Sequence, residues 1–180
     1  MRVIAGSLGG RRLKAPAGRR TRPTSDRVRE ALFAMLGEVS GAVVLDLFAG
    51  TGALGIEALS RGAGRAVFVE RDPAAIGALR ANLEALGLPA EVAEVRRTDA
   101  LKALQAAREG KETYDLLFID PPYGQALDWG PELSAALPRL LAHGARIVVE
   151  SDRRAPLPLE VEVERQRRYG DTTITIHRHP

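Results

Sequence analysis

The chain has 180 residues, 26 Lys and Arg against 23 Asp and Glu, no cysteine, 45% hydrophobic residues and only 4% aromatics. A chain of this length buries roughly 70% of the surface its unfolded form exposes, so one domain can hold a core without disulfides or a structural metal. The lack of cysteine excludes thiol catalysis, Cys-ligated zinc, iron–sulfur clusters and a disulfide scaffold.

The opening MRVIAGSLGG lacks the apolar segment of a secretion signal, and no uncharged apolar run approaches the roughly 18 residues of a membrane span. A cytoplasmic protein is therefore expected. Charge is unevenly spread. Residues 1–30 hold nine basic and two acidic side chains, a local +7 that leaves residues 31–180 at −4. A basic front end on an acidic body points to contact with a polyanion at the front and different work in the body.

In chain order, residues 3–16 read as a short extended stretch broken by Gly6, Gly9 and Gly10, a hairpin with a loose turn that carries Arg11, Arg12 and Lys14. After Pro23, Thr24 or Ser25 can cap a helix and Asp26 suits its first turn. Val28, Ala31, Leu32, Met35 and Leu36 then recur at helical spacing up to a stop at Gly37. From residue 42 the pattern becomes strand, loop, helix. AVVLDLF, RAVFVE, AEVAEVR, YDLLFI and ARIVVE are short apolar strands of the buried parallel kind. The helices between them fall near residues 53–61, 73–87, 99–109 and 131–142. Such alternation specifies a parallel sheet covered by helices on both faces. LEVEVERQ and DTTITIHR then alternate with period two around a YGD turn, a closing antiparallel hairpin. His143-Gly144 reads as a helix end, His177 and His179 as part of an exposed tail, and Phe33, Phe68 and Phe118 as core. Trp129 fits either a base pocket or ordinary core.

The polar residues at the strand ends carry the functional signal. Asp46, Glu70, Asp99 and Asp120 each lie at or just past the carboxyl end of one of the first four strands, the edge where open α/β sheets bind ligands. The loop from Asp46 through Phe48, Ala49, Gly50, Thr51 and Gly52 to Gly55 matches G-x-G-x-x-G and runs straight into a helix, with Glu70 at 20 residues past Gly50. Glycines allow a tight turn and close backbone approach, and the acid can accept hydrogen bonds from ribose hydroxyls. A nicotinamide dehydrogenase shares that spacing. Asp46 argues against it, because a carboxylate there repels a pyrophosphate and attracts a cationic ammonium or sulfonium.

The second signal is Asp120-Pro121-Pro122-Tyr123. Consecutive prolines fix the backbone and lack N–H donors, so the Asp120 carboxylate and the Pro121 carbonyl present acceptors to an incoming amine, beside a Tyr123 ring on which a base can stack. An exocyclic amine of a nucleobase is a poor nucleophile, and two acceptors on its N–H groups orient it for attack.

DLFAGTGALG, Glu70 and DPPY together resemble the class I S-adenosylmethionine-dependent methyltransferases that modify exocyclic amines. RVIAGSLGGRRL and RPTSDRVREALFAML narrow the resemblance to the ribosomal RNA small subunit methyltransferase D family, the 16S rRNA guanine-N2 methyltransferases. The likeness runs over nearly the whole chain, including Tyr169-Gly170-Asp171-Thr172.

It implies a Rossmann-like α/β fold with a seven-stranded, mostly parallel sheet, helices on both faces and a C-terminal antiparallel hairpin. Residues 1–40 would form a basic hairpin-and-helix extension that binds RNA and closes over the cofactor, and residues 41–180 the methyltransferase domain. The segment Asp46–Gly52 would lie under the methionine part of S-adenosylmethionine, Glu70 would hold the ribose diol, and Asp99 with Ala100 would border the adenine. Arg22 and Thr24 would close over the cofactor, and Asp120, Pro121, Pro122 and Tyr123 would hold the guanine. Arg11, Arg12, Lys14, Arg19, Arg20 and Arg22 would hold RNA phosphates. No metal is implied. The implied substrate is a guanine of 16S rRNA in an assembled or assembling small subunit. Adenine-N6 or another nucleic-acid amine is the alternative target. A non-catalytic RNA-binding module is disfavoured, since eight aromatics are few for a stacking platform.

Overall fold

The computed structural model describes residues 1–16, 25–121 and 126–180. Helix α1 spans Asp26–Leu36, and Ser25 caps it, its side chain accepting from Val28 N–H. Gly37 ends it at φ 70°, so the sequence boundaries hold. Thr24 lies outside the described residues.

Strand β1 (Val43–Asp46), α2 (Ala53–Ser60), β2 (Arg65–Glu70), α3 (Pro73–Leu86), β3 (Ala93–Arg97), α4 (Ala100–Glu109), β4 (Tyr114–Ile119), α5 (Ala126–Ala136) and β5 (Leu141–Asp152) alternate as the apolar runs require. The antiparallel strands β6 (Val163–Tyr169) and β7 (Thr172–Arg178) close the chain. One sheet of seven strands results, in the order β3-β2-β1-β4-β5-β7-β6. The first five strands are parallel, and β7 pairs antiparallel with both β5 and β6.

Apolar side chains alternate between two buried layers. On one face Phe33, Ile56, Phe68, Leu79, Leu116, Phe118, Val148 and Ile176 pack together, under α1, α2 and α3. On the other face Val67, Val69, Leu104, Leu117, Ile119, Leu133 and Val149 pack under α4 and α5. The rings of Phe33 and Phe118 meet at 5.8 Å between centroids, which fixes α1 over the centre of the sheet. Burying side chains of this size is worth about 1.5–3 kcal/mol each. Arg146 clamps the lower end of α1, its guanidinium donating to the carbonyls of Leu36 and Glu38.

Four local expectations are corrected. The fourth helix runs over Ala126–Ala136, with Pro131 inside it, and is followed by a 3-10 turn at Leu137–Leu140. β5 then starts at Leu141, so His143-Gly144 is no helix end. It falls in an irregularity where the β4–β5 register jumps between Tyr114 and Leu116, and Gly144 takes φ 75°. β6 begins at Val163, four residues later than the alternation implied. His177 is buried on β7 with Nδ1 2.9 Å from the Val161 carbonyl, and burial holds its pKa below the usual value.

The N-terminal stretch is less regular than a hairpin. Its ladder is a single bridge, Arg2 to Arg12. What holds it is its contact with the helices. Val3 and Leu13 are buried in the same layer as Leu32 and Phe33, so residues 1–16 share the core of the body. Glu57, itself buried, accepts from Ile4 N–H at 2.7 Å and from Ala5 N–H at 3.1 Å, and Ser60 Oγ accepts from Leu8 N–H at 3.0 Å.

Candidate active site at the carboxyl edge

The four acids fall at one edge of the sheet, as their strand-end positions require. β1 and β4 are neighbours, with Asp46 opposite Phe118, so Asp120 stands two residues beyond the partner of Asp46. Asp46 is buried and its Oδ2 accepts from Gly55 N–H at 3.1 Å. Burial raises its pKa from 3.8 to about 7, a rise opposed by the Gly55 hydrogen bond and reinforced by the charge of Glu70. Asp120 is also raised well above the ordinary carboxylate value, first by burial, then by the charges of Glu150 and Asp46. In a low-dielectric setting such carboxylates favour the neutral form until a cation or a hydrogen-bond donor arrives.

The glycine loop is held in place from three sides. Leu47 N–H donates to the Phe118 carbonyl at 3.0 Å, Ala49 N–H to the Val69 carbonyl at 2.9 Å, and Gly50 N–H to Glu70 Oε2 at 2.9 Å. Glu70 Oε1 accepts from the Arg71 and Asp72 N–H groups at 2.7 and 2.8 Å. Gly52 sits at φ 82°, where a Cβ would also stand 2.4 Å from Leu79 Cδ1. At Gly55 a Cβ would meet Phe68 Cε1 at 2.3 Å. The glycines thus permit both the left-handed turn and the close seat of α2 on β2. Gly52 has no side chain to cap α2, so apart from the Gly55 N–H taken by Asp46 the first N–H groups of the helix face the edge.

Asp99 caps α4, accepting from Lys102 N–H at 3.0 Å, and that bond keeps its pKa below the ordinary value. Ala100, the first residue of α4, is buried beside it. The ring of Phe48 lies edge-on to Trp129 of α5, 5.3 Å between centroids at 81°. Trp129, half-buried, therefore braces the glycine loop against α5 and is part of that lower layer. Pro121 is buried at the end of β4. Pro122, Tyr123, Arg19, Arg20, Arg22 and Thr24 lie outside the described residues.

Of the expected phosphate-binding residues, Arg12 and Lys14 are exposed, and Arg11 reaches the Ala85 carbonyl at the end of α3 at 2.8 Å. Two other basic residues of the front end serve the fold. Arg29 is fully buried, its guanidinium 2.9 Å from Asp26 and bonded to the Arg2 carbonyl, and Arg2 also pairs with Asp26 at 3.4 Å.

Two residues at this edge escaped the sequence reading. Asn82, buried on α3, accepts from Lys14 N–H at 2.7 Å and donates to the carbonyls of Lys14 at 3.1 Å and Thr51 at 3.0 Å. It is the one asparagine in the chain, the signal that was available, and it ties the basic stretch to the glycine loop. Glu150 is buried at the end of β5, one residue past the Ile119–Val149 pair, and so stands level with Asp120. No group of three potential metal ligands occurs among the described residues, and no helix there is long and apolar enough to cross a membrane.

This site can be compared with known proteins. The family described as "Conserved hypothetical protein 95" matches residues 1–178. The Escherichia coli (strain K12) "Ribosomal RNA small subunit methyltransferase D" is 43% identical over 128 residues, 71% of this chain and 62% of that protein. The chain belongs to this family. YlbH of Bacillus subtilis (strain 168), provisionally named as an rRNA methyltransferase, is 43% identical over 187 residues, 99% of this chain and 98% of its own length. Among solved structures, the T. thermophilus "16S rRNA N2 G1207 methyltransferase (RsmC) in complex with AdoMet and Guanosine" is similar with a TM-score of 0.68 at 27% identity, over 91% of this chain and 44% of that one. The seven-stranded sheet with its antiparallel end is the methyltransferase D family's Rossmann-like architecture.

Proposed function

We propose that the protein is an S-adenosylmethionine-dependent rRNA methyltransferase that modifies the exocyclic N2 of a guanine in 16S rRNA of the small subunit. The observation that carries the reading is the adjacency of the glycine loop and Asp120 on neighbouring strands β1 and β4, with the charge of Asp46 close enough to help raise Asp120.

The site fits a cationic nucleoside cofactor. Among the described residues no cation pairs with the buried Asp46 carboxylate, the left-handed Gly52 turn keeps side chains out of the cradle, and the N-terminus of α2 faces the same edge. S-adenosylmethionine, when bound, supplies a methyl group activated by its sulfonium. Asp46 through Gly52, including Phe48, Ala49, Gly50 and Thr51, hold its methionine part, with Thr24 over it. Glu70 accepts from the ribose diol, and Asp99 with Ala100 borders the adenine.

Asp120 and the Pro121 carbonyl accept the N–H groups of the target amine, which turns its lone pair toward the incoming methyl. Positioning of this kind can supply up to roughly 7–11 kcal/mol. Asp120, with its raised pKa, is also suited to take the proton the amine releases. Pro122 and Tyr123 help hold the base, Tyr123 by stacking on it. Withdrawing the base from its stack costs a few kcal/mol, less for an unpaired loop base. Residues 1–40 form the RNA-binding extension and cofactor lid, with Arg11, Arg12, Lys14, Arg19, Arg20 and Arg22 on phosphates, and residues 41–180 form the methyltransferase unit.

Methyl transfer to unmodified small subunits by wild-type protein and by Asp120→Ala tests the reading. Turnover falls by about 10²–10⁴ in the variant while cofactor affinity changes only a few-fold. Unchanged turnover removes Asp120 from the reaction.

A further inference from the structure

The C-terminal hairpin brings a second set of arginines to the same edge as the site. β7 runs antiparallel to β5 and β6 antiparallel to β7, so β6 ends where β4 and β5 end. The register is explicit. Glu150 pairs with Ile174 and Ile174 with Arg167, while Asp120 is level with Glu150, so Asp120, Glu150, Ile174 and Arg167 form one row across four strands. At about 4.8 Å per strand the row is roughly 14 Å long, and residues of one row share a sheet face. Arg168 is one position further along, opposite Thr173, which is itself opposite Ser151. The turn after β5 completes the corner, where Arg153 N–H donates to the Asp171 carbonyl at 2.8 Å.

All of Arg153, Arg154, Arg167 and Arg168 are exposed, and among the described residues none has a carboxylate within ion-pair distance. Some arginines elsewhere in the fold are tied to carboxylates. Arg61 pairs with Glu57, Arg65 with Glu94, and Arg96 with Glu94 and Glu112. The two acids of the corner, Asp152 and Asp171, leave it net positive against the four cations.

Charges on an edge strand also block edge-to-edge aggregation. That role accounts for charge but not for its polarity. Glu160, Glu162 and Glu164 precede or begin β6, and Arg165, already paired with Glu164 at 3.8 Å, separates them from the free arginines at the end beside the site. Arg11, Arg12 and Lys14 lie on the opposite flank, over α3. An RNA that withdraws one base into a site between the two flanks must be held by its backbone on both sides of that base.

We propose that Arg153, Arg154, Arg167 and Arg168 form a second phosphate-contact surface, holding the RNA backbone on the far side of the target nucleotide from the N-terminal stretch. The proposal rests on the RNA methyltransferase reading and adds a partner surface to it. Phosphate contacts release counterions, so each one steepens the salt dependence of binding by about 0.7–0.9 in a plot of log K against log salt.

The test measures binding of full-length protein to 16S rRNA transcript and to unmodified small subunits at several salt concentrations, for wild type, for the fourfold Arg→Ala variant and for the fourfold Arg→Lys variant. Thermal melting and cofactor affinity serve as folding controls. We expect the Ala variant to lose about 3 from the slope, with affinity at 0.15 M salt down at least tenfold and cofactor affinity unchanged. The Lys variant should keep most of the slope, because a phosphate contact needs the charge more than the fork. A folded Ala variant with the wild-type slope overturns the proposal and leaves the methyltransferase reading standing. An arginine-dependent slope in a protein that methylates no RNA supports the surface and refutes that reading.

Discussion

Asp46→Asn separates the stability of this protein from its activity. In the ligand-free fold the Asp46 carboxyl is moved from 3.8 to about 7, chiefly by burial. A raised carboxyl pKa means that the folded state holds its proton more tightly than the unfolded chain does, so the associated stability is fully present below about pH 4 and is lost as pH rises through 7. At 1.36 kcal/mol per tenfold change in proton affinity, the shift from 3.8 to about 7 corresponds to about 4 kcal/mol withheld from the ionised fold at pH 8. Asparagine has nearly the same shape, still accepts from Gly55 N–H and carries no charge, so the substitution should recover most of that energy. For a chain of this size 1 kcal/mol is about 2–4 °C in Tm, which sets the expected gain at roughly 10 °C at pH 8 and near zero at pH 4. The same variant should bind S-adenosylmethionine at least 100-fold more weakly, since it lacks the charge that faces the cation. Calorimetric melts of wild type and variant at pH 4, 6 and 8, with titration of the cofactor, give both quantities. A variant that melts at or below the wild-type temperature at pH 8, or a gain that is the same at every pH, refutes the electrostatic argument.

Two further substitutions probe the residues around this edge. Glu150→Gln removes the charge that, after burial, contributes most to raising Asp120; since the ionised Asp120 accepts the amine, the acid limb of the pH profile of kcat/KM should move to lower pH with the maximal rate within a few-fold, and an unmoved limb separates Glu150 from Asp120. Asn82→Ala strips the partners from Lys14 N–H and the Thr51 carbonyl, a loss of about 1–3 kcal/mol in denaturant unfolding, and it should weaken both cofactor and RNA binding; a defect in only one would show that Asn82 does not couple the basic stretch to the glycine loop.

Much of the architecture was legible because its signals are local. Apolar runs such as YDLLFI are bounded by turn residues, and the helix at Asp26–Leu36 carries its own cap and stop. The acids at the strand ends follow from strand polarity alone. What escaped depended on tertiary contact. Leu133, Leu137, Leu140 and Leu141 are all buried and keep helical spacing, so the sequence extended one helix through residue 142, whereas pairing with Tyr114 pulls Leu141 into the sheet. Pro131 favours a first-turn reading, yet α5 begins five residues earlier. His177, two residues from a second histidine and near the terminus, looked like a tail, but the antiparallel pairing of β7 between β5 and β6 buries it. The roles of Glu57 and Asn82 rest on bonds across 53 and 68 residues, which no local pattern reveals.

Transfer of a methyl group to guanine N2 of small-subunit rRNA is tested by the identity of the product. Protein, isotopically labelled S-adenosylmethionine and unmodified small ribosomal subunits are incubated, the RNA is digested, and the labelled nucleoside is identified by mass spectrometry. N2-methylguanosine is expected at about one per particle, formed far more slowly with Asp120→Ala. Labelled N6-methyladenosine would overturn the base assignment while keeping the site, and no labelled nucleoside from a protein that binds the cofactor would overturn the assignment of this protein as an rRNA methyltransferase.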